Sequence, residues 1–310
     1  MKVLVTVAIA EGSVPREPGA RMLVDATSIS GTIGGGHLEL KAIETARKLL
    51  EENGSPIMER YALGPSLGQC CGGVVHLAFE CVEQWDDNPV ADYWRLVALD
   101  GEAHSTVQDI AAFPRTRGTH VFQEADGRRW LADLVETPRN HLVLFGAGHV
   151  GAAIVRALAD LPCRVTWVDE REDMFPGEVA ANVTVFFSDA PEEAVALAPD
   201  GASYLVLTHS HALDQRLTET IMARDGVGWF GLIGSHTKRT QFERRLRARG
   251  VDDARIASMV CPIGIPGITS KLPAAIAASV VAQLLTVWED QARAASPVQQ
   301  NVRLVATARP

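Results

Sequence analysis

The feature that most constrains this chain is Gly146-Ala147-Gly148-His149-Val150-Gly151, which follows the apolar run Leu142 to Phe145 and opens a helical pattern. Between a strand and a helix, the first glycine makes a tight turn and the second lets backbone approach a pyrophosphate. The third lets the helix pack close to the strand. Free N–H groups and the helix dipole then favour a phosphate, so Gly146, Gly148 and Gly151 are expected to hold a phosphate-bearing ligand. Asp169 ends the next apolar run, about where a ribose-binding carboxylate belongs. NAD(P) or another nucleotide is one expectation; a βαβ turn that binds nothing is the bland alternative.

After His141 the pattern repeats. Apolar runs at 142–145, 165–168, 183–187, 204–207 and 229–233 alternate with helix-length segments around 150–160, 190–197, 213–224 and 237–248. Continuous apolar strands alternating with helices imply a Rossmann-type, doubly wound parallel sheet over 141–310. A last helix from Pro273 to about Ala294 packs against it. Residues 1–110 read as a small α/β domain, with strands at 3–9, 21–24, 58–63 and 74–82. One helix spans Leu38 to Leu50, where Leu38, Ala42, Ala46, Leu49 and Leu50 recur at helical spacing. Pro114, Arg115, Arg117, Gly118, Gly127, Pro138 and Arg139 mark 111–140 as a linker region, with a strand over Trp130 to Val135 inside it.

Composition narrows the functions. A formal charge of -9 disfavours non-specific nucleic-acid binding. The longest apolar stretch, Ala274 to Trp288, is interrupted by Ser279, Gln283 and Thr286 and falls short of the ~20 residues a bilayer span needs. Five cysteines are an odd, sparse set rather than a disulfide framework, which points to a reducing, cytoplasmic compartment. The apolar run Val3 to Ile9 reads as a strand rather than a signal peptide.

Further marked positions fall at the carboxyl ends of the strands expected after His141. In Thr208-His209-Ser210-His211-Ala212-Leu213-Asp214, residues His209, His211 and Asp214 suit a metal or polar contacts with a ligand. Ser235 reads as an N-cap, and Lys238 and Arg239 add cationic charge, which together suggest a second anion site. Cys261 either faces the crevice or is a buried structural thiol. Near the N-terminus, Gly34, Gly35 and Gly36 precede the helix and suit an anion or a tight connection. Arg16 and Arg21 flank the preceding turn. In Gly68-Gln69-Cys70-Cys71-Gly72-Gly73, glycines leave two adjacent thiols accessible as a ligand or sulfur-handling group.

Taken together, Ser13-Val14-Pro15-Arg16-Glu17-Pro18-Gly19, Gly31-Thr32-Ile33-Gly34-Gly35-Gly36 and Gly68 to Gly73 resemble the N-terminal domain of the XdhC/CoxI family. Gly146 to Gly151, Thr208 to Asp214, Gly231-Leu232-Ile233-Gly234-Ser235 and Cys261-Pro262-Ile263-Gly264 resemble its Rossmann domain, in the same order. The resemblance implies an accessory protein rather than an enzyme. Such a protein binds the molybdenum cofactor transiently, protects it while a cysteine desulfurase installs the terminal sulfido ligand, and delivers it to apo-xanthine dehydrogenase. Molybdenum cofactor biosynthesis proteins are further implied partners, and a homo-oligomer, as a dimer, is expected. Cys70 and Cys71 become cofactor-binding candidates, with Cys71 a possible molybdenum contact. An NAD(P)-dependent oxidoreductase stands as the alternative, supported by the glycine turn and Asp169 without a distinctive hydride-transfer constellation.

Overall fold

Val3, Val5 and Val7 alternate with Leu4, Thr6 and Ala8 along β1 (Lys2–Glu11), and both sets are buried. A strand apolar on both faces must be covered on both. The computed structural model, which describes residues 1–64, 72–85, 89, 91–99, 105–108, 113, 118–124 and 127–295, shows how. β1 is central in an antiparallel sheet with β2 (Arg21–Val24), β3 (Ile29–Gly31), β4 (Ile57–Ala62) and β5 (Val74–Val82), ordered β3-β2-β1-β5-β4. Helix α1 (Gly36–Glu52) buries Leu38, Ala42, Ala46 and Leu49 against the valine face. The other face meets a second antiparallel sheet of β6 (Tyr93–Ala98), β7 (Ser105–Gln108), β8 (Thr119–Gln123) and β9 (Arg129–Val135), ordered β7-β6-β9-β8. There Ala8 and Ala78 pack with Val97, Leu99 and Leu131.

Within 111–140, expected to be a linker region with a strand over Trp130 to Val135, that strand is present as β9, and a further strand, β8, joins it in this sheet. Trp130, Leu131, Ala132, Leu134 and Val135 are buried in it, so β9 is held by its own apolar residues. The chain divides after Thr137 into two compact units, 1–137 and 138–310.

A buried charge cluster pins the two sheets of the first unit together. Arg21 on β2 donates to Asp133 on β9 at 2.5 and 3.2 Å, and to the Leu134 carbonyl. Arg95 on β6 donates to the same carboxylate at 2.9 Å and to Glu80 on β5. Trp85 covers both guanidinium groups at 5.2 and 5.1 Å. Two cations and two carboxylates cancel, as groups this deeply buried must. Arg21 is thereby committed to Asp133 rather than left for a phosphate.

The second unit begins with β10 (Asn140–Phe145), α2 (His149–Ala157), β11 (Cys163–Asp169) and β12 (Val183–Phe187). It continues through α3 (Glu193–Leu197), β13 (Ser203–Val206), α4 (His211–Ala223), β14 (Trp229–Leu232) and α5 (His236–Ala248). Short α6 (Asp253–Ala257) and β15 (Met259–Val260) precede the last helix, α7 (Pro273–Ala295). All six strands are parallel, in the order β12-β11-β10-β13-β14-β15. One face packs on α2 and α7 through Leu142, Leu144, Val165 and Trp167. The other packs on α3 to α6 through Val143, Phe145, Tyr204 and Phe230. The chain runs outward from β10 to β12 and returns to β13 on the other side of β10. The carboxyl ends of β10 and β13 therefore flank the switch point where such sheets bind ligands.

Candidate functional site

The glycine turn sits at that switch point. Gly146 has φ +122°, and a Cβ there would strike the Leu207 carbonyl. A Cβ on Gly151 would strike the carbonyl of Gly146, so these two positions set how closely α2 approaches the strands. Beneath the turn, Trp167 Nε1 donates to the Gly146 carbonyl at 3.1 Å. Gly148 differs: it caps α2 without a side-chain hydrogen bond, and nothing lies within 4 Å of where its Cβ would be. The open side of Gly148 lies beside the first N–H groups of α2, which no side chain caps.

Asp169 ends β11 beside the turn, but its carboxylate is engaged. It accepts from Ala147 N at 2.6 Å, and from Arg171 N at 3.0 Å, Nε at 2.9 Å and Nη2 at 3.0 Å. Burial pushes its pKa up, but the hydrogen bonds from Arg171 and Ala147 and the Arg171 charge outweigh this and hold it below the ordinary aspartate value. The sequence suggests a vacant ribose acceptor; the structure has a closed ion pair that reaches back to the turn. Glu170 then spans the end of β10 to meet His209, with Oε1 and Nε2 3.5 Å apart. Between Phe145, Asp169, Glu170, Thr208 and His209 only about 10 Å³ of space remains, near the volume one water needs.

Thr208 to Asp214 is organised around Asp214, which is 2% exposed. Its Oδ1 accepts from Thr208 N at 3.0 Å and Thr208 Oγ1 at 2.7 Å. Its Oδ2 accepts from Lys238 Nζ at 2.5 Å, and the same amine donates to the Ile233 carbonyl at 2.8 Å and lies over the Phe242 ring. Ser210 caps α4 by accepting from Leu213 N, and Ser235 caps α5 by accepting from Lys238 N, as the sequence suggests for Ser235. The motif thus joins the ends of β13 and β14 to the starts of α4 and α5.

This organisation separates the three expected metal ligands. Asp214 is committed to Thr208 and Lys238, His211 meets the edge of Phe242, and His209 faces Glu170. Among the described residues no group of three His, Cys, Asp or Glu is placed to hold a metal ion. Nor is the second anion site furnished as expected. Lys238 is neutralised by Asp214, while Arg239 bonds Glu243 and the Cys261 carbonyl. Cys261 is 1% exposed in the core, and burial raises its thiol pKa.

In the first unit, the loop at Gly34, Gly35 and Gly36 holds an anion of its own. Glu39 Oε1 accepts from Ile33 N at 2.9 Å and from the Thr32 hydroxyl. Burial pushes this carboxyl up, but Thr32 and the N–H groups of Gly35, Ile33 and Gly34 hold it below the usual glutamate value. Arg16 lies 3.6 Å from Glu17 and is part-exposed. Cys70 and Cys71 lie outside the described residues. Glu39, Glu170 and Arg171 are participants that the sequence reading passed over. The i+2 spacing of Asp169 and Arg171 was the available signal for one of them.

No described helix is long and apolar enough to cross a membrane. A family model described as the XdhC Rossmann domain matches residues 142–284, and that of the XdhC and CoxI family matches residues 2–62. The uncharacterized protein YqeB of Escherichia coli (strain K12) is 30% identical over 284 residues, or 89% of this chain and 41% of that protein. The chain therefore spans about two fifths of the length of this curated relative. A Bacillus halodurans crystal structure described as a xanthine dehydrogenase is similar with a TM-score of 0.68 and 21% identity, over 96% of this chain and 94% of that one. That likeness extends the shared fold across both units.

Proposed function

This chain belongs to the XdhC and CoxI family, and on that premise we propose that it is a maturation protein for xanthine dehydrogenase whose cargo is the molybdenum cofactor. It holds the cofactor while a cysteine desulfurase supplies the terminal sulfur, then passes it to the apo-enzyme, with no turnover of its own. The observation that carries this reading is the uncapped start of α2 with open space at Gly148, which accepts a phosphate such as the one the cofactor bears. Cys70 and Cys71, with Cys71 as a molybdenum contact, enter on the sequence resemblance.

An NAD(P)-dependent oxidoreductase draws less support, because the Asp169 carboxylate that would bind a ribose is occupied by Arg171 and Ala147. Equilibrium binding of purified molybdenum cofactor to the full chain tests the proposal. Retention that falls in Gly148→Val and in Cys71→Ala, with unchanged thermal stability, supports it. No binding by the wild-type chain, together with normal sulfuration of xanthine dehydrogenase in its absence, sinks it. NADH or NADPH oxidation coupled to a substrate would revive the alternative.

A further inference from the structure

A dinucleotide held at a switch point of this kind sets its phosphates on the glycine turn and a ribose against the acidic end of the next strand. Its base continues into the crevice between the flanking strand ends. In the second unit that crevice lies between the ends of β11 and β13, over the end of β10. Glu170 follows β11, Pro191 follows β12 and His209 follows β13, and the three close it. Pro191 is buried, and Glu170 Oε1 meets His209 Nε2 at 3.5 Å across the opening. With Phe145, Val168 and Leu213 they leave about 10 Å³, room for about one water, whereas pockets that hold drug-sized ligands measure about 300–1,000 Å³.

The ribose position is closed as well. Oδ1 of Asp169 is taken by Arg171 N and Nε, and Oδ2 by Ala147 N and Arg171 Nη2. The start of α2 is open by contrast, with no side-chain cap and nothing within 4 Å of where a Cβ on Gly148 would stand. The phosphate side of the switch point is therefore accessible while its nucleoside side is filled.

We propose that Glu170 and His209 are the specificity determinants of this switch point. Closed on each other, they bar a nucleoside from the crevice. The ligand class left to the turn is a phosphate carried without a nucleoside, its body leaving over the open side of Gly148. The inference rests on the reading above only in taking the start of α2 as the phosphate position. His209 is 46% and Glu170 31% exposed, so their contact is a surface pair on which little folding stability depends. Truncating both side chains empties the opening and leaves the strands that frame it in place. β11 and β13 are two strand spacings apart, about 9.5 Å, which is wide enough for the flat ring of a base.

Fluorescence titration of the full chain with NADH and NADPH, and with ADP as competitor, tests this up to roughly 1 mM. The wild-type chain is expected to bind none of them in that range. The double variant Glu170→Ala, His209→Ala is expected to bind all three at least about tenfold more tightly than wild type. Glu170→Gln keeps the bulk of the side chain and should stay closed. Adding Arg171→Ala to the double variant frees Asp169 for a ribose hydroxyl. NADH should then bind better than NADPH, whose 2′-phosphate that carboxylate repels, a preference that a purely structural role for the pair does not produce. His209→Ala alone should also gain binding, so the test survives a double variant that melts early.

Nucleotide binding by the wild-type chain within this range overturns the proposal. So do opened variants that melt like wild type and bind no nucleotide. Molybdenum cofactor retention is measured on the same wild-type chain. Retention, together with opened variants blind to nucleotides, sinks the gate and leaves the carrier reading standing. No retention, together with nucleotide binding in the opened variants, sinks the carrier reading and leaves the gate.

Discussion

Removing the amine of Lys238 should damage the second unit more than removing the charge of the residue it pairs with. Asp214 is 2% exposed, and its carboxylate is satisfied by two groups of Thr208 and by Lys238 Nζ at 2.5 Å. Lys238→Met keeps most of the stem volume but leaves a buried carboxylate without its counter-charge, which costs about 3–5 kcal/mol. Asp214→Asn still offers an oxygen to Thr208. The amine it deserts belongs to a side chain that is 16% exposed and can turn toward water, so its cost is about 1–3 kcal/mol. The double variant removes the stranded charge and should be more stable than Lys238→Met by roughly 1–3 kcal/mol. Urea unfolding read by hydrogen exchange on peptides of β13 and β14 follows the second unit by itself. A loss below about 1 kcal/mol in Lys238→Met, or a double variant no more stable than it, refutes the clamp.

Gly148→Ala should change stability by less than about 0.5 kcal/mol, whereas Gly151→Ala should cost about 1–3 kcal/mol by forcing a methyl into the Gly146 carbonyl; thermal melts of the pair check this. Asp169 has a folded pKa below its unfolded value, so its stabilisation is present above about pH 4 and is lost as pH falls through the lowered value. Melts from pH 7 down to pH 3 should therefore fall less steeply in Asp169→Asn than in wild type. Burial raises the thiol pKa of Cys163 to about 11 and raises that of Cys261, so both remain protonated at neutral pH. Mass spectrometry should find them unalkylated by iodoacetamide in the native chain and modified after denaturation.

The parallel sheet was legible because its determinants are local: apolar runs, a glycine turn and helix starts recur within a few residues of one another. The cap at Ser235 was legible for the same reason. What escaped was set by partners far apart in the chain. Arg21 finds Asp133 across 112 residues, and no spacing rule connects them. Lys238 and Asp214 carry opposite charges 24 residues apart, and only the adjacency of β13 and β14 turns two apparent ligand groups into each other's partner. Reading 111–140 as a linker region followed from its proline, glycine and arginine content, whereas its strand over Trp130 to Val135, which the sequence does suggest, pairs with β6 across the intervening β7 and β8. Asp169 was placed at the right end of the right strand. Its occupation by Arg171 depends on a side-chain conformation that composition does not encode.

The bond from Ala147 N to Asp169 has a consequence for release. A carboxylate tethered within the same unit competes for that N–H at an effective concentration on the order of millimolar or higher, so a phosphate at the start of α2 that also took the Ala147 N–H would gain only the difference between two acceptors. On departure of such a phosphate the donor would be re-satisfied at once rather than stranded. On the function proposed above, that exchange would flatten the free-energy step between loaded and empty forms and would suit a protein that hands its cargo on better than a permanent cofactor site.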